Sequence, residues 1–142
     1  DGIAIICRPD TYTLLPGRQW GYDDATVGQF LQAQPDIEVS QLNLRQRQEV
    51  RDLLLGPQRK QWRQWRAQQM TGWYQDMVST IQRSRPAAKL YLAPVDLYRN
   101  QETASALSPS LHTSSNFAAS MFDRGLDIDA LQKSTLENQD SK

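Results

Sequence analysis

The sequence has one cysteine, Cys7, and one histidine, His112, in 142 residues. A single thiol excludes a disulfide within the chain. A lone histidine with no cysteine or second histidine near it disfavours both a metal centre and a Ser-His-Asp triad. The sequence also has no P-loop and no GxGxxG phosphate-binding motif. We therefore expect neither a metal nor a cofactor.

The sequence has no excess of charge either, since 16 lysines and arginines balance 16 aspartates and glutamates. This balance argues against binding to nucleic acid or to an anionic membrane through total charge, so no nucleic-acid partner is expected. Residues 45–66 are nevertheless basic, with seven lysines and arginines beside only Glu49 and Asp52. A helical nucleic-acid adaptor is one alternative function for this stretch, in which Arg63 and Arg66 beside the tryptophans would bind the nucleic acid. The helical spacing of these arginines favours a solvent-exposed helix face instead.

Long apolar runs are absent, and none approaches the roughly 20 residues that a membrane-spanning helix needs. No secretory leader is recognisable. Because the chain opens with Asp1 and Gly2 at the edge of a strand, we interpret it as a piece of a larger protein. The composition is 39% hydrophobic and 23% charged, which is typical of a globular protein.

Two short apolar segments predict strands. Residues 3–7 read IAIIC and residues 89–93 read KLYLA, and proline follows closely in each case. The almost wholly apolar run at residues 3–7 suits a strand that is buried on both faces, as in a parallel sheet. We predict that residues 3–8 and 89–93 pair side by side and in parallel.

Several helices are predicted between and after these strands. Asp23 or Asp24 can cap the first and Ser40 the second, while Pro35 and Pro86 end the first and the third. The predicted helices cover residues 25–32, 41–55, 58–84, 100–107, 114–122 and 127–132.

The third helix carries a regular apolar stripe at spacings of three and four residues. The stripe consists of Trp62, Trp65, Gln69, Trp73, Met77 and Ile81. Such a stripe is typical of core packing. We predict that one face of this helix packs on the sheet and carries Trp62, Trp65, Trp73, Met77 and Ile81. The alternative is that the tryptophans stack on the face of a sugar.

The order of strand, helical excursion, strand and helices is typical of an α/β protein with a right-handed parallel crossover. Two strands alone do not make a stable sheet. We therefore interpret residues 1–132 as part of a larger α/β barrel domain, followed by a flexible tail at residues 133–142. The remainder of the parent chain is needed to complete the fold, so the isolated piece should be inactive and poorly stable.

Candidate site residues follow the two strands. Arg8 and Asp10 come after the first and Asp96 after the second, and the carboxyl ends of parallel strands build the sites of such folds. Two carboxylates there could perform the acid/base cleavage of a glycosidic bond. We expect one cleft with Trp20 or Tyr22 along its wall. The alternative is a local salt bridge between Arg8 and Asp10, with Asp96 capping a turn.

The order of five short motifs resembles the glycoside-hydrolase-like family 10 proteins, a bacterial group of TIM-barrel proteins. The resemblance covers roughly residues 1–98. The heavy use of glutamine in this chain is similar to that of cyanobacterial sequences. The motifs are Asp1-Gly2-Ile3, Tyr22-Asp23-Asp24, Trp65-Arg66, Arg83-Ser84-Arg85-Pro86 and Ala93-Pro94.

The resemblance implies two neighbouring strands of a (β/α)8 barrel that hydrolyses a polysaccharide, such as a cell-wall glycan, at an extracellular, periplasmic or cell-envelope location. On this basis Asp10 and Asp96 are the candidate catalytic residues. The candidate substrate-binding residues are Arg8, Trp20, Tyr22 and Arg66.

One departure from the family's pattern concerns Ile6, which stands where the family often has an acidic residue. If that acid is catalytic in the family, Asp10 replaces it from the loop, or this chain lacks it. The alternative function is therefore a degenerate barrel that binds a glycan or a protein partner without cleaving it.

Overall fold

The computed structural model describes residues 2–8, 13–15, 17, 20–37, 47–94 and 117–133. These residues form a mixed α/β structure that is mostly helical and has two strands. Residues 128–133 are also helical. The elements in chain order are β1 (Gly2–Cys7), α1 (Asp24–Ala33), α2 (Arg47–Leu55), α3 (Arg59–Ser84), β2 (Lys89–Pro94) and α4 (Phe117–Asp123).

The two predicted strands are confirmed, and they pair in parallel. The register sets Gly2 opposite Lys89 and Cys7 opposite Pro94. The predicted helix ends at Pro35 and Pro86 are confirmed too, because α1 and α3 stop shortly before these prolines. The predicted Ser40 cap, the helix at residues 100–107 and the tail from residue 134 lie outside the described residues.

The prediction that β1 is buried on both faces requires the remaining strands of a barrel, and among the described residues its burial is incomplete. Ile5 and Leu92 point to one face and pack with Met77 of α3 in a hydrophobic cluster. Ile6 and Tyr91 point to the opposite face, since side chains alternate along a strand, and about half of each is exposed to solvent. The burial differs between the faces because α3 packs on only one of them.

The chain divides into two compact units, and α3 supplies residues to both. The first unit comprises Asp1–Arg18 and Ala67–Lys142, and the second comprises Gln19–Arg66. Each unit has its own hydrophobic cluster. The buried members in the first unit are Cys7, Leu14, Tyr74, Met121 and Leu126, and those in the second are Val27, Phe30, Ile37, Val50, Leu54, Trp62 and Trp65.

Helix α1 of the second unit begins with a strong N-cap. The Asp23 carboxylate accepts hydrogen bonds from the Thr26 backbone N–H at 2.9 Å and from the Thr26 hydroxyl at 2.8 Å. These two bonds hold the pKa of Asp23 below its ordinary value, because they favour the charged carboxylate. The helix then buries Val27 and Phe30, as the spacing predicts.

The apolar stripe predicted on α3 is only partly correct. Trp62 and Trp65 are buried, but they pack with residues of α1 and α2 rather than with the sheet. Trp73 is 45% exposed, and Tyr74 occupies the buried position instead, with 1% of its surface exposed. One residue turns a helix by about 100°, so the face that packs in the first unit includes Tyr74 and leaves Trp73 at its margin.

Helix α4 ends in a Schellman motif centred on Gly125. The Leu126 N–H donates to the Met121 carbonyl at 2.9 Å and the Gly125 N–H to the Phe122 carbonyl at 3.0 Å. Gly125 has a φ of +82°, and the Leu15 N–H donates to the neighbouring Arg124 carbonyl at 2.9 Å. The motif thus connects the end of α4 to the loop that follows β1.

A pair of tryptophan substitutions measures how the two halves of α3 differ. Trp62→Ala should lower the free energy of unfolding by about 3–5 kcal/mol, because it removes a fully buried indole. Trp73→Ala should cost only about 1 kcal/mol, which is the order of its edge-on contact with the Tyr74 ring. Urea denaturation of both variants gives the values. Equal losses would contradict the burial pattern.

Substitution of Gly125 tests the motif at the end of α4. Gly125→Ala should destabilise the protein by roughly 2 kcal/mol, because left-handed backbone is strained for alanine. In addition, the new Cβ would lie 2.8 Å from Met70 Cγ and 3.0 Å from Leu15 Cδ1. Gly72→Ala on α3 is the matched control, since an added Cβ there would meet nothing within 4 Å beyond its chain neighbours and the backbone of its own helix. The control should stabilise the helix by about 0.5–1 kcal/mol. If thermal melts showed Gly72→Ala to be less stable than Gly125→Ala, the assignment of the Schellman motif at Gly125 would be refuted.

Candidate functional site

The carboxyl edge of the sheet is the predicted location of the site. Because Cys7 lies opposite Pro94 in the parallel register, both strands end at this edge. Arg8 is partly buried there. Asp10 and Asp96 lie outside the described residues, so the cleft that they were expected to form with Arg8 stays a prediction.

Thr13 holds the loop after β1 against the end of that strand. The Arg8 N–H donates to the Thr13 hydroxyl oxygen at 3.1 Å. The Thr13 hydroxyl lies 3.4 Å from both the Ile6 and the Arg8 carbonyl oxygens, to which it can donate. Thr13 therefore lies at the end of β1, where its hydroxyl contacts the backbone of Ile6 and Arg8.

Tyr74 of α3 supports Thr13 from within the first unit. Its hydroxyl donates to the Thr13 carbonyl, and the Cys7 sulfur lies 3.8 Å from the same hydroxyl. Burial raises the pKa of both the Tyr74 phenol and the Cys7 thiol, so both groups are protonated at neutral pH. A protonated, buried thiol is a poor nucleophile. Cys7 and Tyr74 both contribute to the packing at this edge of the sheet.

Sequence reasoning missed Tyr74 and Thr13. These residues are 61 positions apart, and their hydrogen bond depends on how α3 packs beside the loop. The available signal was the tyrosine itself, because a buried tyrosine needs a partner for its hydroxyl. The apolar spacing on α3 instead predicted a buried position at Trp73, the residue before Tyr74.

Two of the predicted substrate-binding residues, Tyr22 and Arg66, contact the same tryptophan in the second unit. The Tyr22 ring stacks on Trp62 with centroids 5.7 Å apart, and the Arg66 guanidinium carbon lies 5.6 Å from the Trp62 ring centroid. Trp62 also stacks on Trp65 at 5.5 Å and meets Phe30 edge-on at 5.1 Å. The tryptophans thus form a packed aromatic core rather than an open stacking surface.

The Tyr22 hydroxyl has a distinctive electrostatic environment. Burial raises the pKa of Tyr22, while the charge of Arg66, the Trp62 indole and the charge of Arg51 lower it. Arg66 itself is 5% exposed. Trp20, two residues earlier, is more than half exposed. This region therefore combines two cations, a hydroxyl and an exposed indole nearby in the chain.

Neither a metal site nor a membrane span is found in the described part of the chain. Its histidine, cysteine, aspartate and glutamate residues form no group of three or more that could hold a metal ion. Among the same residues, no helix is both long enough and apolar enough to cross a bilayer. Comparisons of this chain with protein-family models, with curated proteins and with solved structures found no match.

A tyrosine pair tests the support of the sheet edge. Tyr74→Phe should lower the free energy of unfolding by about 1 kcal/mol, because the Thr13 carbonyl loses its donor. Tyr91→Phe is the matched control, since Tyr91 is half exposed on the sheet, and its loss should stay within about 0.5 kcal/mol. Chemical denaturation at neutral pH compares the two. Indistinguishable variants would argue against the Tyr74–Thr13 hydrogen bond.

Proposed function

We propose that this chain forms part of a glycoside-hydrolase-like (β/α)8 barrel that acts on a polysaccharide, such as a cell-wall glycan, outside the cytoplasm. The observation that carries the proposal is the parallel pairing of β1 with β2, with Cys7 opposite Pro94. In a barrel of this kind the loops after neighbouring strands open on one side and build the active site. The sequence motifs that resemble the family add a substrate class to this geometry.

The exposed face of the sheet supports the barrel interpretation. Helices cover the outer face of such a barrel, and the other face lines its interior. Since α3 packs on the Ile5 and Leu92 face, the interior would be lined by Ile6 and Tyr91, which are half exposed here. Side chains from the remaining strands of a complete barrel would cover them.

The proposed chemistry uses residues at the carboxyl edge. Asp10 and Asp96 act as the general acid and the base or nucleophile, since retaining and inverting glycosidases both use two carboxyl groups. Arg8 binds substrate hydroxyl or anionic groups. Trp20, Tyr22 and Arg66 are proposed to bind further parts of the polysaccharide.

The second candidate function is glycan binding without cleavage. Ile6 favours it, because this residue stands where the family often has an acid and belongs to the half-exposed face that would line the barrel. An isoleucine cannot donate or accept a proton. In this alternative the barrel holds a glycan or a protein partner, and Asp10 does not replace the missing acid.

Two carboxylate substitutions in the full-length protein separate these functions. Asp10→Asn and Asp96→Asn should each lower glycan hydrolysis by about 10²–10⁴-fold, the usual contribution of a general acid or base. Asp36→Asn, an exposed residue after α1, is the control and should keep full activity. Release of reducing ends measures the reaction. Unchanged activity in both variants would remove them from catalysis, and glycan binding without hydrolysis by the wild type would favour the second candidate.

A further inference from the structure

The second unit exposes a tryptophan just before the segment that leads into α1. Trp20 has 55% of its surface exposed, although folded proteins bury most of the surface of a tryptophan on average. The other exposed large hydrophobic side chains among the described residues all belong to the first unit: Ile3, Ile6, Trp73, Tyr91 and Phe117. Trp20 is therefore the single exposed large apolar side chain in the described part of the second unit.

The backbone adopts an unusual conformation directly after Trp20, at Gly21. The φ of Gly21 is +87°, in the left-handed region that is strained for residues with a side chain. A Cβ added at this position would lie 3.3 Å from Thr26 Cγ2 and 3.5 Å from Trp62 Cζ2. The Gly21 backbone thus lies against the first turn of α1 and against the buried aromatic core of the second unit.

The two residues after Gly21 are also fixed. The Tyr22 ring stacks on Trp62 with centroids 5.7 Å apart, and the Asp23 carboxylate caps α1 through two hydrogen bonds to Thr26. Each of the three residues after Trp20 in the chain therefore contacts the aromatic core or the first turn of α1. Because the backbone on this side of Trp20 is held in place, less conformational entropy is lost when a ligand binds to the indole.

We propose that Trp20 is a platform on which a pyranose ring of the polysaccharide stacks, and that Gly21 positions this platform. The inference rests on the glycan function proposed above. The face of an indole ring carries negative charge density, and the apolar face of a pyranose presents C–H groups with a partial positive charge. Gly21 acts through Trp20, because its left-handed backbone sets the direction in which the chain, and with it the indole, leaves the aromatic core.

Two observations favour a sugar over a protein as the occupant of this surface. A protein interface buries a contiguous apolar patch at its centre, whereas Trp20 has no second exposed large hydrophobic residue in the described part of its unit. In addition, the nearby residues Asp23 and Asp24 are exposed, and carboxylates accept hydrogen bonds from hydroxyl groups. A contact between two copies of this chain is the alternative that the experiment must exclude.

The test measures the binding of soluble hexasaccharides to the full-length protein by calorimetric titration, with cellohexaose, xylohexaose and N-acetylchitohexaose as the probes. The wild type should bind at least one of them. Trp20→Ala should weaken that binding by about 10–100-fold, because a stacked ring is lost. Trp20→Tyr keeps an aromatic face and should weaken it only several-fold. Trp73→Ala removes an exposed indole of the first unit, so it is the matched control and should leave binding unchanged.

A second set of variants tests the positioning role of Gly21. Gly21→Ala should weaken binding by about tenfold when Trp20 is present and should cause no further loss in the Trp20→Ala background, since it acts through the indole. Gly28→Ala on α1 is the matched control, because an added Cβ there would meet nothing within 4 Å beyond its chain neighbours and the backbone of its own helix. Circular dichroism melts verify that each variant is folded, and Trp20→Ala supplies the readout if Gly21→Ala is not.

The outcomes distinguish this inference from the glycan function itself. Hexasaccharide binding that Trp20→Ala leaves unchanged would overturn the platform and leave the glycan function standing. An equal further loss from Gly21→Ala in the Trp20→Ala background would overturn the positioning role. A wild type that binds none of the probes would overturn both the inference and the glycan function. Self-association that Trp20→Ala abolishes, without hexasaccharide binding, would assign the indole to a contact between copies of the chain instead.

Discussion

The parallel pairing of β1 with β2 is the constraint on which the rest of the structure depends. A two-residue turn can join antiparallel strands, but parallel strands need a connection that returns the chain to the starting end. Here that connection is residues 8–88, and it contains α1, α2 and α3. The same constraint sets the carboxyl ends of both strands at one edge, with Cys7 opposite Pro94. It thereby determines where a functional site of this sheet would form.

The edge of the sheet is stabilised by contacts between residues far apart in the sequence. Tyr74 joins the loop after β1 through the Thr13 carbonyl, and Leu15 joins the end of α4 through the Arg124 carbonyl. Each is a modest interaction of about 1 kcal/mol. Together they fix the backbone from the Thr13 carbonyl to the Leu15 N–H against a helix and a helix end.

Local patterns predicted the elements, whereas the choice between neighbouring side chains depended on packing. Prolines marked the ends of α1 and α3 because proline disfavours helical backbone at and before its own position. The apolar spacing on α3 predicted that Trp73 rather than Tyr74 packs in the core. Spacing alone cannot show which of two adjacent aromatic residues faces a partner that is distant in sequence. For the site, the predicted residues Tyr22 and Arg66 share Trp62 as a neighbour. Their link to Arg51 required the packing of α2 and was not predicted.

The position of Cys7 has a consequence for how this protein can be observed in solution. It is the chain's one thiol, it is fully buried, and its pKa is raised by that burial. A thiol-specific reagent can reach it only when the hydrophobic cluster around it opens, and it reacts only with the thiolate form. The labelling rate of the native protein therefore reports the free energy of that local opening. No reporter group has to be engineered into the chain.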